Sequence, residues 1–187
     1  MRDVETYSDG ETTVELISTN AGIYDLAITS ITPPKKVILS NETPSKTSFI
    51  KVKIQNRGPF PALIEDATML DNLIAMTVES LGTCPAPTPV LHAGAPQKPL
   101  PITLKPGKSL TVYYDVTLDC ANDPAIGAPD YRISTVVNRA VLDGKEDTNP
   151  LDDVCPRDST SQTDKGCGAK KDNGSLGGEI LTDVIVK

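Results

Sequence analysis

Tryptophan is missing from this chain, and there are only two phenylalanines and one histidine among 187 residues. Carbohydrate modules usually stack sugars on flat exposed rings, so a chain with so few rings is poorly equipped for that task. The lone histidine, His92, has no nucleophile or orienting acid beside it in sequence, and it reads as a loop or edge histidine. The patterns G-x-S-x-G, H-E-x-x-H and the P-loop are all absent. These gaps argue against an enzyme. No stretch approaches the roughly 18 apolar residues of a membrane helix, so membrane insertion is not expected. The N-terminus, Met-Arg-Asp-Val-Glu-Thr-Tyr, lacks the apolar centre of a secretory signal. Positive charge is also short: the net charge is −7, which speaks against nucleic-acid backbones and anionic lipid as partners.

What is plentiful is proline, glycine and β-forming residues. Sixteen prolines and thirteen glycines suit many short strands joined by turns better than they suit helices. The clearest strand runs from Leu104 to Cys120. Pro106-Gly107 marks a turn, and Leu110, Val112, Tyr114, Val116 and Leu118 then occupy every second position. Successive side chains of a strand point to opposite faces, so this segment has one apolar and one wet face. Further strands are expected at 25–32, 47–56, 73–81, 130–141 and 178–187. Val37 to Leu39 is expected to extend along the edge begun by the first of these. The segment 63–72 reads as a short helical turn or a loop. The proline-punctuated run 84–104 reads as loop and edge structure. The last strand has apolar residues in both phases, which suits a strand flanked on both sides. Residues 1–24 read as a linker or an added strand, the linker being preferred for their polar composition. No repeat, heptad or amphipathic helix intervenes. The fold expected is an all-β, antiparallel two-sheet sandwich over 25–187, with long loop insertions at about 63–102 and 143–178.

Cys84, Cys120, Cys155 and Cys167 include no C-x-x-C pair, so a zinc knuckle is disfavoured. An even number of cysteines at wide spacing in a Thr- and Pro-rich chain favours disulfides and an oxidising compartment over buried free thiols. Three connectivities are open, of which Cys84–Cys120 with Cys155–Cys167 is preferred. The second bridge would close a short loop, worth about 3 kcal/mol in the chain-entropy model.

Three segments taken in order resemble a known family. They are Asp25-Leu26-Ala27-Ile28-Thr29-Ser30-Ile31 followed by prolines, Val52-Lys53-Ile54-Gln55-Asn56-Arg57-Gly58, and Leu104-Lys105-Pro106-Gly107-Lys108-Ser109. Together they are similar to the CARDB type (cell-adhesion-related) of bacterial Ig-like domain, over roughly residues 25 to 150. The resemblance implies a seven-stranded Ig-like sandwich, export, and a place in surface or multidomain extracellular proteins.

Among binding residues, Asp143, Glu146, Asp147, Asn149 and Asp152 form the densest polar cluster, with Gly144 and Pro150 to bend the backbone. Hard cations want several oxygen ligands, so this is the candidate Ca²⁺ site, although its spacing is not that of an EF-hand. The alternative is a solvated acidic loop. No other cofactor is expected. Of Tyr7, Tyr24, Tyr113, Tyr114 and Tyr131, Tyr113 lies on the wet face of the long strand and is the best single sugar platform. Asn41 and Asn173 each begin a glycosylation sequon. The patch Thr12 to Ile17 is the candidate donor for assembly through an edge strand. The function expected is a non-catalytic structural or adhesive module, at the cell surface or secreted, whose partners are other extracellular domains or surface proteins. A Ca²⁺- or glycan-binding module is the alternative.

Overall fold

A computed structural model describes residues 3–8, 13–18, 25–120, 129–142, 153–155, 167 and 180–186. Within them the fold is all-β, with one short α-helix and a 3-10 turn at Arg139–Leu142. Strands β1 (Asp3–Ser8) and β2 (Thr13–Ser18) form an antiparallel hairpin that is a two-stranded sheet of its own. The Thr12 to Ile17 patch thus falls largely in β2 and pairs within the chain, where sequence composition favours a linker.

A four-stranded sheet has the order β3-β5-β10-β8. Its members are β3 (Leu26–Thr32), β5 (Ser45–Asn56), β8 (Val90–Leu91) and β10 (Ser109–Asp119). The long strands β5 and β10 pair in continuous antiparallel register, Val52 opposite Val112 and Ile50 opposite Tyr114. The alternation expected of both is present. Ile50, Val52 and Ile54 are buried with Leu110, Val112, Tyr114, Val116 and Leu118. Lys51 and Lys53 on the opposite face are exposed. At one end, Lys105-Pro106-Gly107-Lys108 closes a tight turn with the Lys108 amide on the Lys105 carbonyl at 3.0 Å. Gly107 has φ +73°, the left-handed value that this turn position requires after proline.

A second sheet is built on β11 (Tyr131–Val137). One edge of β11 pairs along its whole length with β7 (Ile74–Ser80). The other edge is shared by β13 (Ile180–Val186) and the short β12 (Val154–Cys155). Beyond β13 lies β4 (Lys36–Leu39), paired in parallel. Two expectations are corrected here. The Val37 to Leu39 segment does not continue the β3 edge, and the pairing is not wholly antiparallel. Pro33 and Pro34 have no N–H to give a ladder, so β3 ends and the chain is free to re-pair. Thr182 Oγ1 donates to the Pro34 carbonyl at 3.0 Å and fixes the crossing. Strand β13 is flanked on both sides, by β11 and β4, as its two-phase apolar pattern implies.

The buried apolar side chains of both larger sheets belong to a single core. Tyr114 from β10 reaches across it, its hydroxyl donating to the Ile74 carbonyl of β7 at 3.1 Å. The ambiguous segment 63–72 holds β6 (Ala62–Ile64) and the helix α1 (Ala67–Leu73). Strand β6 pairs with β9 (Ile102–Leu104) at the border of the core. Asp66 caps α1 by accepting the Met69 amide at 2.7 Å, and Leu70 and Leu73 are its buried face. The proline-rich run 84–104 supplies only the short edges β8 and β9, as proline content predicts.

Both disulfides take the preferred pairing. Cys84, after β7, joins Cys120, at the end of β10, and so ties the two sheets. Cys155 on β12 joins Cys167.

Candidate functional site

Among the described residues, chemistry-bearing side chains converge on the wet face of β10. The alternation that buries Tyr114 and Val116 turns Tyr113 and Asp115 outward. The β5 register then sets Lys51 opposite Tyr113 and Phe49 opposite Asp115. Strand β8 follows the free edge of β10 and delivers His92 just past its end. The His92 amide donates to the Tyr113 carbonyl at 2.9 Å. The Tyr113 amide in turn donates to the Gln97 side-chain oxygen at 3.0 Å.

The His92 ring is held on both nitrogens. Nδ1 lies 2.9 Å from Asp115 Oδ2, and Nε2 lies 3.0 Å from the Ala95 carbonyl oxygen. Neither partner has a proton to give, so both contacts are hydrogen bonds only when the ring is the imidazolium. The Asp115 carboxylate, and after it the Ala95 carbonyl, hold the His92 pKa above the usual histidine value, with burial opposing them. Phe49 meets the same ring edge-on with centroids 4.8 Å apart.

His92 is therefore an edge histidine, as its sequence context implies. The acid that orients it comes from a strand 23 residues away and is invisible as a local motif. A general base needs a free nitrogen lone pair. Here the second nitrogen is spent on a backbone carbonyl, so the pair cannot work as half of a triad in this geometry.

Tyr113, the candidate sugar platform, does sit on the outward face with Phe49 for company at 6.1 Å. The two rings are nearly perpendicular, not a shared flat surface. Lys51 Nζ also stands over the Tyr113 ring, 5.9 Å from its centroid, where a sugar would stack. Tyr114 and Tyr131 are buried. The Tyr24 position and the Tyr7 side chain lie outside what is described. The first sequon asparagine, Asn41, is exposed in the turn between β4 and β5, while Asn173 falls outside the described residues. So do Asp143, Glu146, Asp147, Asn149 and Asp152, the whole candidate Ca²⁺ set.

One further cluster, Cys84, Cys120 and Asp130, has ligand-like atoms close together. It is not a metal centre, because the two sulfurs are bonded to each other. Asp130 serves the sheet instead: its Oδ2 accepts the Val184 amide at 2.6 Å, and its own carbonyl accepts the Leu81 amide. The Cys84 sulfur, 3.9 Å from Oδ1, carries no proton and makes only a packing contact. Among the described residues no helix is long and apolar enough to cross a membrane. No protein-family model, curated protein or solved structure matches this chain.

Proposed function

We propose that this chain is a non-catalytic structural or adhesive module of an exported protein, built as an Ig-like sandwich. The observation that carries the reading is strand order. An Ig constant-type sandwich places strands A, B, E and D in one sheet and C, F and G in the other. The order β3-β5-β10-β8 corresponds to A-B-E-D, and β7-β11-β13 corresponds to C-F-G. Strand β4 is then the continuation of the first strand, which leaves its sheet at the two prolines and runs parallel to the last. The CARDB-like segments lie on β3, at the end of β5 and at the turn into β10.

Export is supported by the chemistry of the cysteines. All four cysteines are in disulfides. Cytosolic thiols are kept reduced, so a chain with every cysteine in a structural bridge suits an oxidising compartment. On the outward face of β10 His92 pairs with Asp115 and Thr117 with Thr47, contacts that suit a rigid spacer or display unit. Two experiments test the reading. Tryptic shaving of intact cells of the source organism should release peptides of this chain into the medium. Unreduced, denatured protein should take up no iodoacetamide. Protection of the chain until lysis, or four alkylated sulfurs, would defeat it.

A further inference from the structure

We propose that the segment Val90 to Gln97 is a proton-operated latch that His92 closes over the free edge of β10. This goes beyond the structural role argued above and does not depend on it.

The edge of β10 facing away from β5 is covered only in part by regular pairing. Strand β8 matches it at Tyr114 and Asp115 alone. An uncovered edge presents N–H and C=O groups to any strand that arrives. At Tyr113 both groups are taken by the latch: the carbonyl by the His92 amide, the N–H by the Gln97 side chain. To the β8 pairing and these two bonds the His92 ring adds a side-chain anchor. It bonds to Asp115 on the sheet and to Ala95 within the segment, so one side chain staples the loop to itself and to β10. A tight turn, the Gln97 amide on the Gly94 carbonyl at 2.8 Å, brings Gln97 back to the edge.

The staple needs two protons. A neutral imidazole has one N–H, so deprotonation leaves one of the two acceptors facing a lone pair. The closed latch binds the proton more tightly than an open one, where His92 would titrate near 6.5. Closure is therefore strongest below about pH 6.5 and weakens as pH rises through the higher value of the latched ring. Asp115 is the charged group facing the ring from β10. From β5 the ring meets the uncharged Phe49, and Lys51 stands over the neighbouring Tyr113 ring. As the sole histidine, His92 reports on itself without ambiguity.

The experiment is NMR on the intact chain from pH 5 to 9. It follows the His92 C2 proton and the hydrogen exchange of the His92 and Tyr113 amides, corrected for intrinsic base catalysis. The expected C2 midpoint lies above 6.5 and drops in Asp115→Asn. Protection of the two amides should fall by roughly tenfold per pH unit between the open and latched midpoints. The Val52 amide, deep in the β5–β10 ladder, should not change over that range. His92→Gln should abolish the pH dependence. A wild-type midpoint at or below 6.5, flat protection, or an unchanged profile in His92→Gln would overturn the proposal. The wild-type titration stands alone if a variant does not fold.

Discussion

Asn56 donates its side-chain amide to the Leu104 carbonyl at 2.8 Å, across 48 residues of chain. The same NH₂ group serves the Phe60 carbonyl at 2.7 Å, and Oδ1 accepts the Gly58 amide at 3.0 Å. Its backbone joins in: the Asn56 amide reaches the Lys108 carbonyl, and its carbonyl accepts from Gly107. One fully buried asparagine thus closes the β5 end, the β9 end and the Pro-Gly turn into β10. Asn56→Ala removes three side-chain bonds and strands buried partners, so a loss of about 3 kcal/mol is expected in urea unfolding. Asn56→Asp should be at least as damaging, since it turns an oxygen toward two carbonyls. Loss below about 0.5 kcal/mol for Asn56→Ala would show that the three segments are held by other means.

The Tyr114 hydroxyl is the polar link across the core between β10 and β7. Tyr114→Phe keeps the ring but leaves the Ile74 carbonyl unpaired, at a cost of about 1–2 kcal/mol. Matched urea curves with an unchanged m-value check this.

Burial pushes the Tyr114 phenol far up, and pushes Tyr131 up to about 12, with Asp130 and Asp119 adding to the latter. The sign follows from proton counting. Above pH 10 the unfolded chain loses phenolic protons that the native chain keeps, so stability falls as pH rises from 10 through 12. An alkaline spectrophotometric titration should show the Tyr114 and Tyr131 phenols ionising late, with unfolding. Five tyrosines ionising together near pH 10 would contradict the buried positions.

The Cys84–Cys120 bridge closes a separation of 36 residues, worth about 4 kcal/mol in the chain-entropy model, against about 3 for Cys155–Cys167 across 12. The double variant Cys84→Ala with Cys120→Ala is expected to lose more stability than Cys155→Ala with Cys167→Ala. Chemical denaturation of the two double variants ranks them.

Much of this architecture was legible in residue order. Strict alternation in Ile50-Val52-Ile54 and in Leu110 through Leu118 marks strands with one wet face, and the structure places them side by side. Pro106-Gly107 marks the turn, because only a fixed φ followed by a positive one makes it. Both bridges matched the pairing preferred from cysteine spacing. What was not legible depends on register and on three-dimensional return. The passage of Val37 to the second sheet requires knowing that Val184 is waiting there. The His92–Asp115 pair exists because β8 slides beside β10 at one particular offset. Asn56 is a buried junction that sequence does not announce, since nothing local points to the carbonyls of Phe60 and Leu104.

Strand exchange at the two prolines is the feature on which the sandwich reading turns, and contacts between β4 and β13 test it most directly. In a uniformly labelled sample, inter-strand NOEs in the parallel pattern should connect Val37 with Val184 and Ile38 with Ile185. Their absence, with Val37 contacting β5 as an extension of the β3 edge, would contradict the account.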